Sequence, residues 1–211
     1  MSHWTIVPAR GLASGKTRLA ELLEPAERRA LNTTLLLRAF DAIAGCDGDL
    51  SRCIVASADA DALQMGRRCG ALTLQDSGAS GLNAALEAAR DVARRGGAQS
   101  ILVLAADLPD VSGDALSRLR AATAAGDATL IADKQGNGTN GILLPAACAM
   151  KFGFGEGSLA RHRDAIQADG VAVSVWTDPR LSFDIDSPAD YRSWLHRPAP
   201  EPLSRRTDSS T

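Results

Sequence analysis

Apolar residues follow two rhythms along this chain. Short unbroken runs at 5–8, 52–57, 71–75, 100–106, 128–132, 142–144 and 171–176 read as strands. Between them lie longer segments whose apolar positions recur at three and four, the spacing of an amphipathic helix. Leu19, Leu22 and Leu23 predict a helix starting near Lys16, and Leu31, Leu35, Leu36, Phe40 and Ile43 predict another from Pro25 to an end at Gly45. Further helices are predicted over 59–68, 81–95, 112–125 and 158–168, with Ser158 as N-cap of the last of these. Ser187-Pro188 opens a final short helix carrying Tyr191, Trp194 and Leu195.

Strands alternating with helices predict an α/β fold, a three-layer sandwich around a mostly parallel sheet, because parallel neighbours need crossover helices. The run 100–106 is the most apolar and takes the central position. In such sheets ligands sit at the carboxyl ends of the strands, so the loops after Val7, Ser57, Ala106 and Trp176 should face one crevice. One domain spans 1–196. Residues 197–211, with three prolines and almost nothing apolar, read as a disordered tail.

The chain has 211 residues, 45% hydrophobic and 23% charged, so a large core is within reach. A formal net charge of −2 argues against nucleic acid as a partner. No apolar run approaches the ~18 residues of a membrane span, which argues against a membrane partner. Cys46, Cys53, Cys69 and Cys148 are scattered without a C-x-x-C pair, predicting free thiols in a cytoplasmic protein and no structural zinc. His3, His162 and His196 share no ligand spacing and are expected on the surface or on helices.

The loop from Arg10 to Arg18 carries the first chemistry. Gly11 and Gly15 leave the backbone open, and Arg10, Lys16 and Arg18 supply charges suited to a triphosphate at a helix start. It is not a Walker A loop, because three residues lie between Gly11 and Gly15 where that motif needs four. Asp107 follows the central strand directly, and a carboxylate there is better explained by a metal than by stability. Asp184 and Asp186, two apart in extended chain, share a face and repel unless a cation intervenes or Asp186 caps the next helix. Magnesium is the cation such carboxylates suit beside phosphates. The glycine-rich stretches 136–141 and 152–158 can hold a second small anion.

The segments IVPARGLASGKTRLAELL, GLNAALEAA, ILVLAADLP, GTNGILLP, GEGS and FDIDSPAD resemble the 2-phospholactate guanylyltransferase family of coenzyme F-420 biosynthesis, over nearly all of 5–195. The resemblance implies a Rossmann-like, nucleotide-diphospho-sugar-transferase-like nucleotidyltransferase that uses GTP and Mg²⁺. Its members guanylylate 2-phospho-L-lactate, phosphoenolpyruvate or 3-phospho-D-glycerate. By resemblance, Arg10, Lys16 and Arg18 bind triphosphate within the Gly11–Gly15 loop, Gly81 and Asn83 hold guanosine, and Asp107, Asp184 and Asp186 hold metal. Thr139, Gly155 and Ser158 take the phospho-acid, and Lys16 and Asp107 are the catalytic pair.

In the expected reaction a phosphate oxygen of the acid attacks the α-phosphorus of GTP and pyrophosphate leaves. The competing classes are a P-loop kinase or GTPase, suggested by Gly15-Lys16-Thr17, and a non-catalytic nucleotide-binding regulator. Asn140 or Glu156 is expected to meet the extra hydroxyl of 3-phosphoglycerate, which inclines the acceptor toward that acid. The size of the chain admits a homodimer.

Overall fold

The computed structural model describes residues 2–76 and 81–197. The expected tail lies outside the described residues apart from Arg197. β1 (His3–Pro8), β2 (Cys53–Ser57), β3 (Leu72–Gln75), β4 (Ser100–Leu104), β5 (Ala128–Ala132), β6 (Thr139–Pro145) and β7 (Val173–Trp176) form one sheet in the order β3-β2-β1-β4-β6-β5-β7. β6 runs antiparallel to both β4 and β5, and every other pairing is parallel. The carboxyl ends of the six parallel strands therefore share an edge with the amino end of β6. That inversion brings Thr139 and Asn140 to the same side of the sheet as Asp107.

β4 is the fourth of the seven strands, and Ile101 to Leu104 are wholly buried along it. Alternate side chains point to opposite faces. Leu102 and Leu104 face a core built with α1 (Pro25–Asp47), α2 (Ala60–Arg68) and α4 (Gly113–Ala122), through Leu36, Phe40, Leu63 and Leu116. Ile101 and Val103 face the opposite core, built with α3 (Gly81–Arg95) and α5 (Ser158–Ala168) through Leu86, Ala89, Leu159 and Ile166. The layers are those of the α/β sandwich. α6 (Pro179–Ser182) and α7 (Pro188–Leu195) follow β7. Among the described residues no helix is long and apolar enough to cross a membrane. The four cysteines are free.

Three expected boundaries move, each for a physical reason. The segment after Lys16 is a single 3₁₀ turn, Thr17–Leu19, rather than a helix. Pro25 at the first turn of α1 forces Glu24 into extended backbone (ψ 158°), which ends any helix begun at residue 17. Leu19 and Leu23 still point inward, against Leu31, Leu35, Phe183 and Ile185, so their spacing reports burial without a helix. Gly45 lies inside α1, which runs on to Asp47. A Cβ on Gly113 would stand 2.8 Å from the Gly45 carbonyl carbon, so the glycines there serve close approach of α4 to α1. The N-cap of α5 is Gly157 (φ 66°), and Ser158 is the first helical residue, with its hydroxyl turned to another task.

Candidate active site

Lys16 is the only non-glycine residue with positive φ among those described (φ 54°, ψ 45°). Left-handed backbone costs a side-chain-bearing residue of order 1–3 kcal/mol, and such positions gather at functional sites. The neighbours hold it there. Asp59, at the N-cap of α2, accepts from the Leu12 backbone N–H at 2.7 Å, and the Asn32 amide on α1 donates to the Leu12 carbonyl at 2.8 Å. A Cβ on Gly15 would stand 2.9 Å from the Gly11 oxygen and 3.0 Å from the Asn32 amide, so that glycine is required. The loop is thus fixed from β2 and α1 by two residues that sequence reasoning did not single out. Asp59 was visible as a helix cap, but nothing in the sequence shows its second oxygen reaching across the sheet edge.

The result is a buried ammonium group. The Lys16 side chain is 7% exposed, and its Nζ donates to Asp107 Oδ2 at 3.2 Å and to the Ile185 carbonyl, with Asp186 Oδ1 3.8 Å away. The loop after β1, the loop after β4 and the segment between α6 and α7 therefore meet at one atom. Arg10 and Arg18 are exposed, and neither has a polar partner among the described residues. The segment that follows Lys16 is one 3₁₀ turn, too short to supply the dipole expected of a helix starting there.

Asp184 sits on the other side of the same segment, 14% exposed, with Lys134 Nζ 3.6 Å from its Oδ1 and donating to its carbonyl at 3.0 Å. Burial first, and then the charge of Asp107, push its carboxyl up to about 6, against the attraction of Lys134. Asp186 is half exposed and does not cap α7. Ser187 is the N-cap, in a capping box with Asp190, whose Oδ1 also takes Lys134 at 2.7 Å. Among the described residues, no group of three His, Cys, Asp or Glu is spaced to hold a metal ion. Asp107, Asp184 and Asp186 share one field, with Lys16 Nζ between Asp107 and Asp186.

The second group of expected residues gathers where β6 begins. Ser158 Oγ donates to Thr139 Oγ1 at 3.2 Å, and Thr139 Oγ1 lies 3.1 Å from His162 Nδ1. Gly153 N–H donates to His162 Nε2 at 2.9 Å, and the Leu159 N–H donates to the Asn137 carbonyl at 3.1 Å. The two glycine-rich stretches are thereby joined. Gly155 lies in the turn between them at φ 135°. Asn83 exchanges two bonds with the backbone of Phe154, accepting at 2.9 Å and donating at 3.4 Å, so its amide fastens the glycine turn to α3 rather than standing open to a base. Gly81 begins α3 at φ 75°, next to residues outside those described.

Asn140 and His162 are both buried beside this group. Asn140 gives both amide hydrogens to the carbonyls of Leu181 and Ser182, each at 3.0 Å, and is 6% exposed. Its two amide hydrogens clamp α6 and leave only Oδ1 for a substrate hydroxyl, while Glu156 is exposed to solvent. His162 lies on a helix, α5, as one of its two expected placements has it; it is fully buried there, and its ring packs edge-on against Phe154 with centroids 4.7 Å apart. The inward stripe Ser158, Leu159, His162 and Ile166 on α5 has helical spacing, the signal by which it was legible.

A cationic loop after β1 and a carboxylate, Asp107, after the central strand thus lie at the carboxyl edge of a mostly parallel α/β sheet. The fold is shared with a nucleotidyl transferase from Methanothermobacter thermautotrophicus (TM-score 0.68, 19% identity, 92% of this chain and 95% of that one). It is also shared with a Desulfovibrio desulfuricans G20 protein described as a nucleotide-diphospho-sugar transferase (TM-score 0.76, 16% identity, 99% and 92%). The chain belongs to the family described as guanylyl transferase CofC like, whose model matches residues 3–196. It is 38% identical to a phosphoenolpyruvate guanylyltransferase of Rubrobacter xylanophilus over 90% of this chain and 92% of that one. It is 30% identical to a 2-phospho-L-lactate guanylyltransferase of M. thermautotrophicus, over 90% and 82%. The protein is a guanylyltransferase, and the kinase, GTPase and regulator readings fall away.

Proposed function

We propose that the protein transfers GMP from GTP to phosphoenolpyruvate and releases pyrophosphate, in the coenzyme F-420 pathway that the family resemblance implies. The observation that carries the reaction is the meeting of Lys16, Asp107, Asp184 and Asp186 at the end of β4. The choice of acid rests on Asn140. With both of its amide hydrogens committed, Asn140 offers the 2-hydroxyl of 3-phosphoglycerate only Oδ1, and phosphoenolpyruvate makes no such demand. The bacterial relative named for phosphoenolpyruvate supports the same choice.

The donor set fits a divalent cation. Asp107, Asp184 and Asp186 offer hard oxygen ligands, and burial, with the charge of Asp107 second, raises the Asp184 carboxyl against the attraction of Lys134. Asp107 with Asp184 or Asp186 would hold Mg²⁺, which would supply charge neutralisation at the phosphates when bound. The remaining work is done by the chain. Lys16, Arg10 and Arg18 bind the triphosphate and balance the pyrophosphate as it leaves. Thr139, Ser158 and the turn at Gly155 orient the acid so that its phosphate oxygen lies in line with the α-phosphorus. No general base is needed, because a phosphate monoester with a second pKa of about 6 is already largely dianionic at pH 7. Catalysis is positioning plus electrostatics.

The test is competition of phosphoenolpyruvate, 2-phospholactate and 3-phosphoglycerate for GTP and Mg²⁺, with the guanylylated products resolved by mass. Phosphoenolpyruvate should dominate. A preference for either other acid overturns the acceptor and leaves the reaction, whereas no product from any of them overturns both.

A further inference from the structure

Among the described residues His162 has no hydrogen bond to the triphosphate cations or to the three carboxylates, yet it bonds to both walls of the phospho-acid region. Its Nε2 accepts the Gly153 backbone N–H at 2.9 Å. A nitrogen that accepts carries no proton, so in the neutral ring the hydrogen is on Nδ1. Nδ1 therefore donates to Thr139 Oγ1 at 3.1 Å. Ser158 Oγ donates to the same oxygen at 3.2 Å. A hydroxyl oxygen has two lone pairs, and both are now used. What Thr139 retains is its own O–H hydrogen, which has no acceptor among the described residues.

We propose that His162 is a positioning residue for the acceptor: its Nδ1–H, with the Ser158 hydroxyl, fixes Thr139 as an obligate hydrogen-bond donor to an anionic oxygen of the phospho-acid, while its Nε2 holds the glycine turn at Gly153. The assignment rests on the acceptor region identified above. The surroundings keep the ring in this state. His162 is fully buried, Phe154 packs edge-on against it, and burial, with Arg161 adding to it, pushes its pKa down to about 4. A protonated ring would set an Nε2–H against the Gly153 N–H, two donors facing each other, and the turn would lose its anchor. The neutral ring is thus compatible with an anion site without being one of its charges.

The two nitrogens can be tested separately. An Asn side chain places an amide near the Nδ1 position, and Gln places a carbonyl near the Nε2 position. His162→Asn keeps a donor for Thr139, and His162→Gln keeps an acceptor for Gly153. Steady-state kinetics with GTP, Mg²⁺ and phosphoenolpyruvate should show KM for the acid raised about tenfold in His162→Gln, the scale of one lost hydrogen bond. In the same variant KM for GTP should be unchanged, and His162→Asn should restore much of the KM for the acid. Equal effects of the two variants on both KM values, or none, would overturn the proposal. Nitrogen NMR of the imidazole in the unmodified, ligand-free protein checks the tautomer without any activity: a neutral ring protonated at Nδ1 is expected, and protonation at Nε2 overturns the proposal even if the variants do not fold. Wild-type protein that makes no guanylylated acid, with the tautomer as expected, would count against the acceptor reading instead.

Discussion

At Asp107, Asp184 and Asp186 three carboxylates share two ammonium groups, and burial holds one of the acids half-protonated near pH 6. At Thr139, Ser158 and His162 three neutral side chains exchange bonds until only one hydrogen is left over. Both groups lie at the same sheet edge and are reached from the same strands, β4 and β6. The difference separates two kinds of preparation. The acidic group is built for charge that arrives with the substrates, and ligand-free protein bears an electrostatic cost for it. The hydroxyl group is already satisfied, so it directs a ligand without waiting for one.

The largest expected effect breaks the acidic side. Asp107→Asn should lower turnover by on the order of 10²–10³, since it removes both the charge proposed to act at the reacting phosphates and the ion-pair partner of Lys16. Circular dichroism should show the fold intact. Near-native turnover would mean that the carboxylate at the end of β4 is structural.

Asp184→Asn sharpens the same contrast through stability. With the native carboxyl at about 6 and the unfolded one near 3.8, the native state binds more protons between those values. The Asp184 contribution therefore falls as pH rises through that window and is least favourable above about pH 6. The amide should raise the melting temperature of ligand-free protein at pH 8 and raise it less at pH 4.5, while activity falls. His162 slopes the opposite way. Its pKa is lowered to about 4 from 6.5, so its contribution is complete above pH 6.5 and lost as pH falls toward 4. Melting curves of Asp184→Asn from pH 8 to 4.5 should therefore decline with acid, and an Asp184→Asn gain that is equal at both pH values would contradict the account.

A smaller effect is expected at the hinge between the two groups. Asn140→Ala leaves the Leu181 and Ser182 carbonyls without their donor just ahead of Phe183. The loss of about 1–3 kcal/mol should lower the melting temperature by roughly 3–10 °C in a domain of this size. An unchanged melting temperature would show that α6 is held by its apolar contacts, Leu181 among them, and not by the clamp.

Much of this was legible in the chain, and the parts that were not have a common cause. The strand at 100–104, the helix from Gly81 and the Ser187-Pro188 helix start follow from periodicity and capping, which are local. The antiparallel run of β6 was not legible, because a short apolar strand carries no mark of its direction. Arg10, Lys16, Asp107, Asp184 and Asp186 stood out as charges where charge is costly. The roles of Lys134, Asn32, Asp59 and Asn140 depend on which backbone groups lie opposite them after folding. Asn140, expected from its loop to meet a substrate, and Asn83, expected by resemblance to hold guanosine, both fasten backbone elsewhere in the chain.

The central claim is that the protein joins a phosphorylated acid to the α-phosphorus of GTP. Phosphorus NMR of GTP, Mg²⁺ and phosphoenolpyruvate with the wild-type protein tests it most directly. The account predicts pyrophosphate appearing in step with a new pair of coupled resonances from a P–O–P linkage between GMP and the acid. Conversion of GTP to GDP and orthophosphate, with phosphoenolpyruvate unchanged, would contradict it.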